Sequence, residues 1–325
     1  MARFNKLLGF LLVFFTCNVA SHADGFNEIA NYGFRYGPNL SWSLMGNTPF
    51  VWGEWLPQAE GMLHYTWLEP LDELAYGERL ERLPIYLRMD AAVEVSPFYG
   101  GYLAGLGIRP FKINPQIELS MVYESYLYFR SNLEMVTAEV EDEGRIAESW
   151  NADYIVDNIY KDEAAFDYTQ LIDMAVSVSY SLPMGSIIGA KFHYILSDIS
   201  TDFDGKSYDY RRNIPVFSRD FLTVLEVYGR IPFTNHFAGL FESDFYRTGL
   251  LRKKNTVQKE SLAYGRAMLG THFFWNEGSQ NIILEVGGWK RIEKKFYKGS
   301  LSQQFLVQLE YQWYFSFPLS RHLSE

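Results

Sequence analysis

The feature that most limits what this chain can fold into is strict alternation of apolar and polar residues. Over 85–95, Ile85, Leu87, Met89, Ala91, Val93 and Val95 fall on one side, with Tyr86, Arg88, Asp90, Ala92 and Glu94 on the other. A strand sends successive side chains to opposite faces, whereas the 3.6-residue period of a helix would mix the two sets. The segment therefore reads as a strand with one apolar and one charged face. The pattern returns downstream. Leu119, Met121 and Tyr123 oppose Glu118, Ser120 and Glu124, and Ile172, Met174 and Val176 oppose Asp173 and Ser177. Phe192 and Tyr194 oppose Lys191 and His193, and Phe241 and Phe245 oppose Glu242 and Asp244. The longest run sets Phe305, Val307, Leu309, Tyr311, Trp313, Phe315 and Phe317 against Gln304, Gln308, Glu310 and Gln312. Weaker versions cover 32–44, 62–68, 99–111, 221–230, 262–274 and 281–290.

About twelve strands are expected, with ten to fourteen compatible with the pattern. Soluble strands average roughly 5–6 residues, while a tilted strand crossing a membrane needs about 9–11. The alternating segments match the longer length. From residue 112 onward, short links (112–115, 182–185, 231–235, 275–279) alternate with long ones (130–170, 199–219, 247–261, 290–302). Tight turns on one side and long loops on the other are the layout of a membrane barrel. The short 96–98 link departs from it, and 69–84, which does not alternate, is expected to form a short helix or turn. Hydrocarbon tolerates no open sheet edge, so the strands must close on themselves. The fold class expected is all-β, an antiparallel transmembrane β-barrel.

The N-terminus points to export. Arg3 and Lys6 precede the uncharged run Leu7–Phe15, and Ser21-His22-Ala23 offers small residues for cleavage. That is the layout of a signal peptide over 1–23, leaving 24–325 as a single barrel domain. The apolar run is too short for a spanning anchor, and the bulky Phe14-Phe15-Thr16 ahead of Cys17 does not suit a lipidation site. Cys17 is the single cysteine, so the mature protein has no disulfide and no cysteine–zinc site. Removing Arg3 and Lys6 from the 29 basic residues leaves 27 against 39 acidic ones, a net charge near −12. Such a balance argues against nucleic acid as a partner.

With these features the chain resembles the outer-membrane β-barrel class of Gram-negative bacteria. The resemblance implies residence in the outer membrane, contact with its lipid and lipopolysaccharide, and assembly by the barrel-insertion machinery. Members of the class end in a strand with aromatic residues at alternate positions. Tyr311, Trp313, Phe315 and Phe317 match that insertion signal, followed here by 318–325.

The polar faces supply the candidate lumen-lining residues: Arg88, Asp90, Glu94, Glu118, Glu124, Asp173, Lys191, His193, Glu226, Glu242, Asp244, Arg266, Glu285 and Glu310. His236 and His272 join them as titratable groups. Charges on such a face either line a water-filled path, where carboxylates attract cations, or pair across a filled interior. The function expected is passive passage of small solutes through a cation-favouring channel. The alternatives are a non-conducting structural or surface-binding barrel and, behind them, a lipid hydrolase or protease. His64-Tyr65-Thr66 has the spacing of a His/Ser hydrolase pair but lacks the serine, and His322-Leu323-Ser324 falls in the tail. No catalytic residue, metal site or cofactor is expected.

Trp42, Trp67, Tyr99, Tyr180, Trp275 and Trp289 are candidates for interfacial girdles,. The acidic stretch 134–167 has three readings: a constriction folded into the lumen, a divalent-cation site, or a solvated loop,. Asp202-Phe203-Asp204-Gly205 is a fragment of a calcium loop without the following ligands. Basic clusters at 252–259 and 290–298 suit either lipopolysaccharide phosphates or simple solubility,.

Overall fold

The computed structural model describes residues 34–51, 54–55, 58–72, 77–78, 80, 83–97, 99–128, 167–199, 206–209, 212, 214–217, 219–249, 263–276, 279–292 and 303–316. Twelve long strands form the wall: β1 (Gly37–Val51), β3 (Gln58–Pro70), β4 (Tyr86–Val95), β5 (Tyr99–Arg109), β6 (Gln116–Tyr128), β7 (Asp167–Ser181), β8 (Ile187–Ile199), β11 (Arg219–Thr234), β12 (Phe237–Gly249), β13 (Ala263–Trp275), β14 (Gln280–Arg291) and β15 (Gln303–Ser316). Each pairs antiparallel with its neighbours in chain order. The sheet closes where β1 meets β15, from Asn39 opposite Ser316 to Phe50 opposite Phe305. The expected barrel and its strand number both hold. Three short strands lie outside the wall's count: β2 (Glu54–Trp55) beside the end of β1, and β9 (Lys206–Asp209) with β10 (Ile214–Phe217), which form a separate hairpin.

The start of β1 and the end of β15 lie at the same rim, together with the connections 110–115, 182–186, 235–236 and 276–279. This turn end faces the periplasm by the rule that tight turns lie there. The opposite loop end carries 129–166, 200–218, 250–262 and 292–302. It also carries the tight 96–98 link, closed by the Ser96 N–H donating to the Tyr99 carbonyl at 2.8 Å. The acidic 134–167 stretch, the calcium-loop fragment, most of both basic clusters, the signal peptide and Phe317 fall outside the described residues.

Pleating and closure sort the side chains. On β4, Val93 and Val95 are 57 % and 59 % exposed, while Glu94 between them is 1 % exposed. The outward apolar band meets lipid and the inward polar set is enclosed. Aromatic rings bracket the band. At the turn end Trp42 packs against Tyr311 (5.4 Å between ring centroids), Tyr311 against Trp275 (6.3 Å) and Trp313 against Phe315 (4.7 Å). Toward the loop end Tyr102 meets Tyr123 at 6.1 Å and Tyr194 stacks on Phe221 at 5.4 Å. Phe305 and Phe315 on β15 are ten residues apart, which at ~3.3 Å per residue and a ~40° tilt is about 25 Å of membrane. That equals the usual height of a barrel's apolar band.

Two girdle candidates are placed otherwise. Tyr99 and Trp289 are 4 % and 2 % exposed and point inward. The Tyr99 hydroxyl donates to Glu94 at 3.1 Å, and the Trp289 indole N–H donates to Gln304 at 2.7 Å. Gly100-Gly101 beside Tyr99 and Gly287-Gly288 beside Trp289 carry no side chain to reveal the phase.

In the link 71–85, where a short helix or turn is expected, the described residues contain a turn at Gly77 and no helix. The link turns back under the barrel, where the Gly77 N–H donates to the Tyr36 carbonyl at 2.8 Å and the Gly77 carbonyl accepts from Arg35 Nη1 at 2.8 Å. Gly77 has φ +86°, a region that glycine enters without a Cβ penalty. Leu80 on this link packs onto a buried cluster of Phe34, Tyr36, Leu68, Tyr86 and Tyr314. These mostly aromatic side chains fill part of the interior at the turn end.

Candidate functional site: the charged interior

Cross-strand register assembles the interior. Lys191, Glu226, Asp244 and Arg266 are successive direct partners across β8, β11, β12 and β13. Directly opposed residues on one face interact most strongly, so this row carries alternating contacts around the wall. Arg266 donates to both Glu242 and Asp244, and its guanidinium lies 5.6 Å from the centre of the Tyr246 ring. The Tyr246 hydroxyl donates to Asp244 Oδ2 at 3.0 Å. His193 sits between two carboxylates, with Nδ1 2.8 Å from Asp173 Oδ2 and Nε2 3.5 Å from Glu226 Oε2. Further round, Gln308 donates to Glu285 at 3.4 Å and Gln312 to Glu310 at 2.6 Å.

A second network occupies β3 to β6. Arg88 bridges Asp90 (Nε, 2.8 Å) and Glu118 (Nη1, 2.9 Å), and Arg109 Nη2 meets Glu118 at 2.7 Å. Arg109 also donates to Gln116 at 2.9 Å, and the Tyr86 hydroxyl donates to Glu118 at 3.0 Å. Nearer the loop end, Glu94 accepts from the hydroxyls of Tyr99 and Tyr126, and Tyr99 also donates to Glu60. Glu124 faces Arg212 of the β9–β10 hairpin across 3.8 Å.

All fourteen candidate lumen residues lie on the enclosed face. Twelve are buried, and the side chains of Arg88 and Asp90 are 16 % and 7 % exposed. Register brings them into local groups rather than one ring. His272 is fully buried, with its Nε2 2.7 Å from Asn281 Oδ1, and receives Arg230 Nε at 3.3 Å. His236 lies in the turn between β11 and β12, its Nδ1 3.2 Å from the Phe274 carbonyl. Of the aromatic series at the C-terminus, Tyr311, Trp313 and Phe315 face outward at the turn end.

Sequence reading missed Glu60, Arg109, Arg212 and Arg230. Arg109 and Arg230 sit at or near strand ends, where alternation is shortest, and Arg212 belongs to a connection too irregular to show a phase. The residue types gave a signal, but position alone decided their side.

One wall differs from the rest. Five carboxylates are enclosed on β11–β15, from Glu226, Glu242, Asp244, Glu285 and Glu310, and Arg266 donates to two of them, Glu242 and Asp244. Among the described residues, Glu226 Oε1, Glu242 Oε2, Asp244 Oδ1 and Glu285 Oε1 have no protein hydrogen-bond partner. An enclosed carboxylate oxygen left unmet costs about 1–3 kcal/mol or more, so such groups persist where water or a cation reaches them. No three His, Cys, Asp or Glu among the described residues are placed to hold a metal ion. His64, Thr66 and Asp90 come together, but Thr66 donates to Asp90 at 2.9 Å and His64 turns the same Nε2 to both. The imidazole is not arranged to take the hydroxyl proton.

No protein-family model matches the sequence, and neither does any curated protein. Solved structures do. The COG4313 outer membrane channel from Pseudomonas putida F1 aligns over 91 % of this chain and 100 % of its own, with a TM-score of 0.50 and 10 % identity. Outer-membrane OmpT of Vibrio cholerae (86 % and 97 % covered, TM-score 0.42, 7 % identity) also aligns. So does the translocator domain of autotransporter NalP from Neisseria meningitidis (90 % and 95 %, 0.38, 11 %). The first likeness establishes the fold; the latter two are too distant to carry an argument.

Proposed function

We propose that this barrel, which has the fold of Gram-negative outer-membrane proteins, is a narrow channel for small solutes that favours cations. The observation that carries this reading is the acidic wall on β11–β15, with its unmatched carboxylate oxygens. Dry, filled interiors pair their charges, whereas these enclosed oxygens have no protein partner and call for water or a cation to meet them,. A monovalent cation about 4 Å from one such oxygen gains roughly 4 kcal/mol at an effective dielectric of 20. That is enough to set ion preference. The Pseudomonas putida protein of similar fold is described as a channel, which agrees with the reading without supplying a solute.

The test is conductance of the refolded protein in a planar bilayer under a salt gradient. The reversal potential should show cation preference, and Glu242→Gln with Glu285→Gln should reduce it. Anion preference in the wild type would overturn the reading. A specific observation favours a second reading, a non-conducting envelope barrel: nearly all interior charges are buried, many in ion pairs, and the aromatic cluster occupies the turn end. A correctly inserted, silent barrel would select it. Catalysis is not part of the proposal. Outward Tyr311, Trp313 and Phe315 would meet the insertion machinery, and exposed Lys290 at the loop end would face lipopolysaccharide phosphate,.

A further inference from the structure

We propose that the β9–β10 hairpin is an internal plug, inserted from the loop end and latched by Arg212 on Glu124 to a strand a third of the way round the wall. Three of its residues are buried as though in a core. Ile214, Val216 and Asp209 are 0 %, 5 % and 7 % exposed, which a hairpin projecting into solvent cannot achieve. The β10 strand runs into β11 and lies against both β11 and β12. The turn after β9 carries Arg212, which bonds Asp209 at 2.9 Å and reaches Glu124 on β6 at 3.8 Å. From β12 to β6 the wall passes through β11, β8 and β7, four spacings of about 4.8 Å each. Contact with both sides is possible only through the interior.

The hairpin is built to hold its shape there. Asp209 accepts the backbone N–H of Arg212 at 3.1 Å, the side-chain-to-backbone closure that favours a tight turn. The same carboxylate fixes the guanidinium, so Arg212 is presented to Glu124 in a set orientation. Pro215 lies on the hairpin opposite Tyr208, where a missing N–H is tolerated because the strand pairs on one side alone.

Its size suits closure. A twelve-strand barrel tilted by ~40° is about 24 Å across between backbones, and inward side chains take ~10 Å of that. Roughly 14 Å remains, and a hairpin with its side chains is about 10 Å thick. It would cover about two thirds of the cross-section. Loss of the plug should therefore raise unit conductance about threefold. The acidic 134–167 stretch was the sequence's candidate constriction; the described segment that enters the lumen is this hairpin.

The gating consequence rests on the channel reading, whereas the position of the hairpin does not, and two measurements separate them. In planar bilayers, the full chain with residues 205–218 replaced by a short Gly/Ser linker should conduct about threefold more than wild type. Conductance equal to wild type in a conducting wild type would overturn the proposal. The second measurement needs no conduction. Cys17 is the single cysteine of the sequence, so in a Cys17→Ser background Ile214→Cys is the sole thiol. An aqueous maleimide should label it slowly in the inserted barrel, and at least tenfold faster when Glu124→Gln removes the latch. Rapid labelling in both backgrounds would overturn the plug. Slow labelling in the first background with silence of both channels would sustain the plug and remove the channel reading.

Discussion

Gly189 and Tyr228 are direct partners on β8 and β11, both facing inward. A methyl group built on Gly189 would lie 2.5 Å from both Cζ and the hydroxyl oxygen of Tyr228, against a normal contact of at least 3.4 Å. The ring end must move by about 1 Å, and it has little freedom to do so. Tyr228 is fully buried and packed with Leu240 and Ile283. Overpacking of this kind costs about 1–3 kcal/mol, set against roughly 0.5–1 kcal/mol gained by replacing glycine in a strand. Gly189→Ala should therefore destabilise the barrel by about 1–2 kcal/mol. The assay is reversible urea unfolding in lipid vesicles, read by tryptophan fluorescence, with Tyr228→Ala completing a double-mutant cycle. Tyr228→Ala alone should cost about 3–5 kcal/mol. In that background Gly189→Ala should become neutral or stabilising, giving a coupling of at least 1 kcal/mol. Additive effects would mean that the ring does not lie over the glycine, and the inward packing described for β8–β11 would be refuted.

Two further outcomes test the walls. Arg109→Met leaves Glu118 with Arg88 and Tyr86, so it should destabilise by about 1.5–3 kcal/mol, and Arg109→Met with Glu118→Leu should recover much of that loss; a single variant as stable as wild type in urea would contradict the ion pair. Cysteine at Leu119, 48 % exposed on the outer face, should react with bilayer-confined probes and be protected from aqueous ones; the reverse would invert the assigned faces of β6.

The sequence by itself determined the kind of object this is. Period-two alternation is local, written residue by residue, and a pleated strand reads it directly into two faces. Length then separated a membrane wall from a soluble sheet, and alternating link lengths set the two ends. From Ile85 to Val95 nothing but the order of residues was needed to know which side chains travel together. Where glycines interrupt the pattern, at Gly100-Gly101 and Gly287-Gly288, the phase was lost and Tyr99 and Trp289 were put on the wrong side. Tertiary structure decided which charges meet. Glu118 is held by Arg109, which lies on the neighbouring strand, and by Arg88 from the strand beyond it, while His193 lies between Asp173 and Glu226. Those partnerships depend on register and shear, which only barrel closure fixes. The same holds for the hairpin. Its strands are four residues each and one contains a proline, too short to show a period. Its place is set not by its own pattern but by the space that twelve strands enclose.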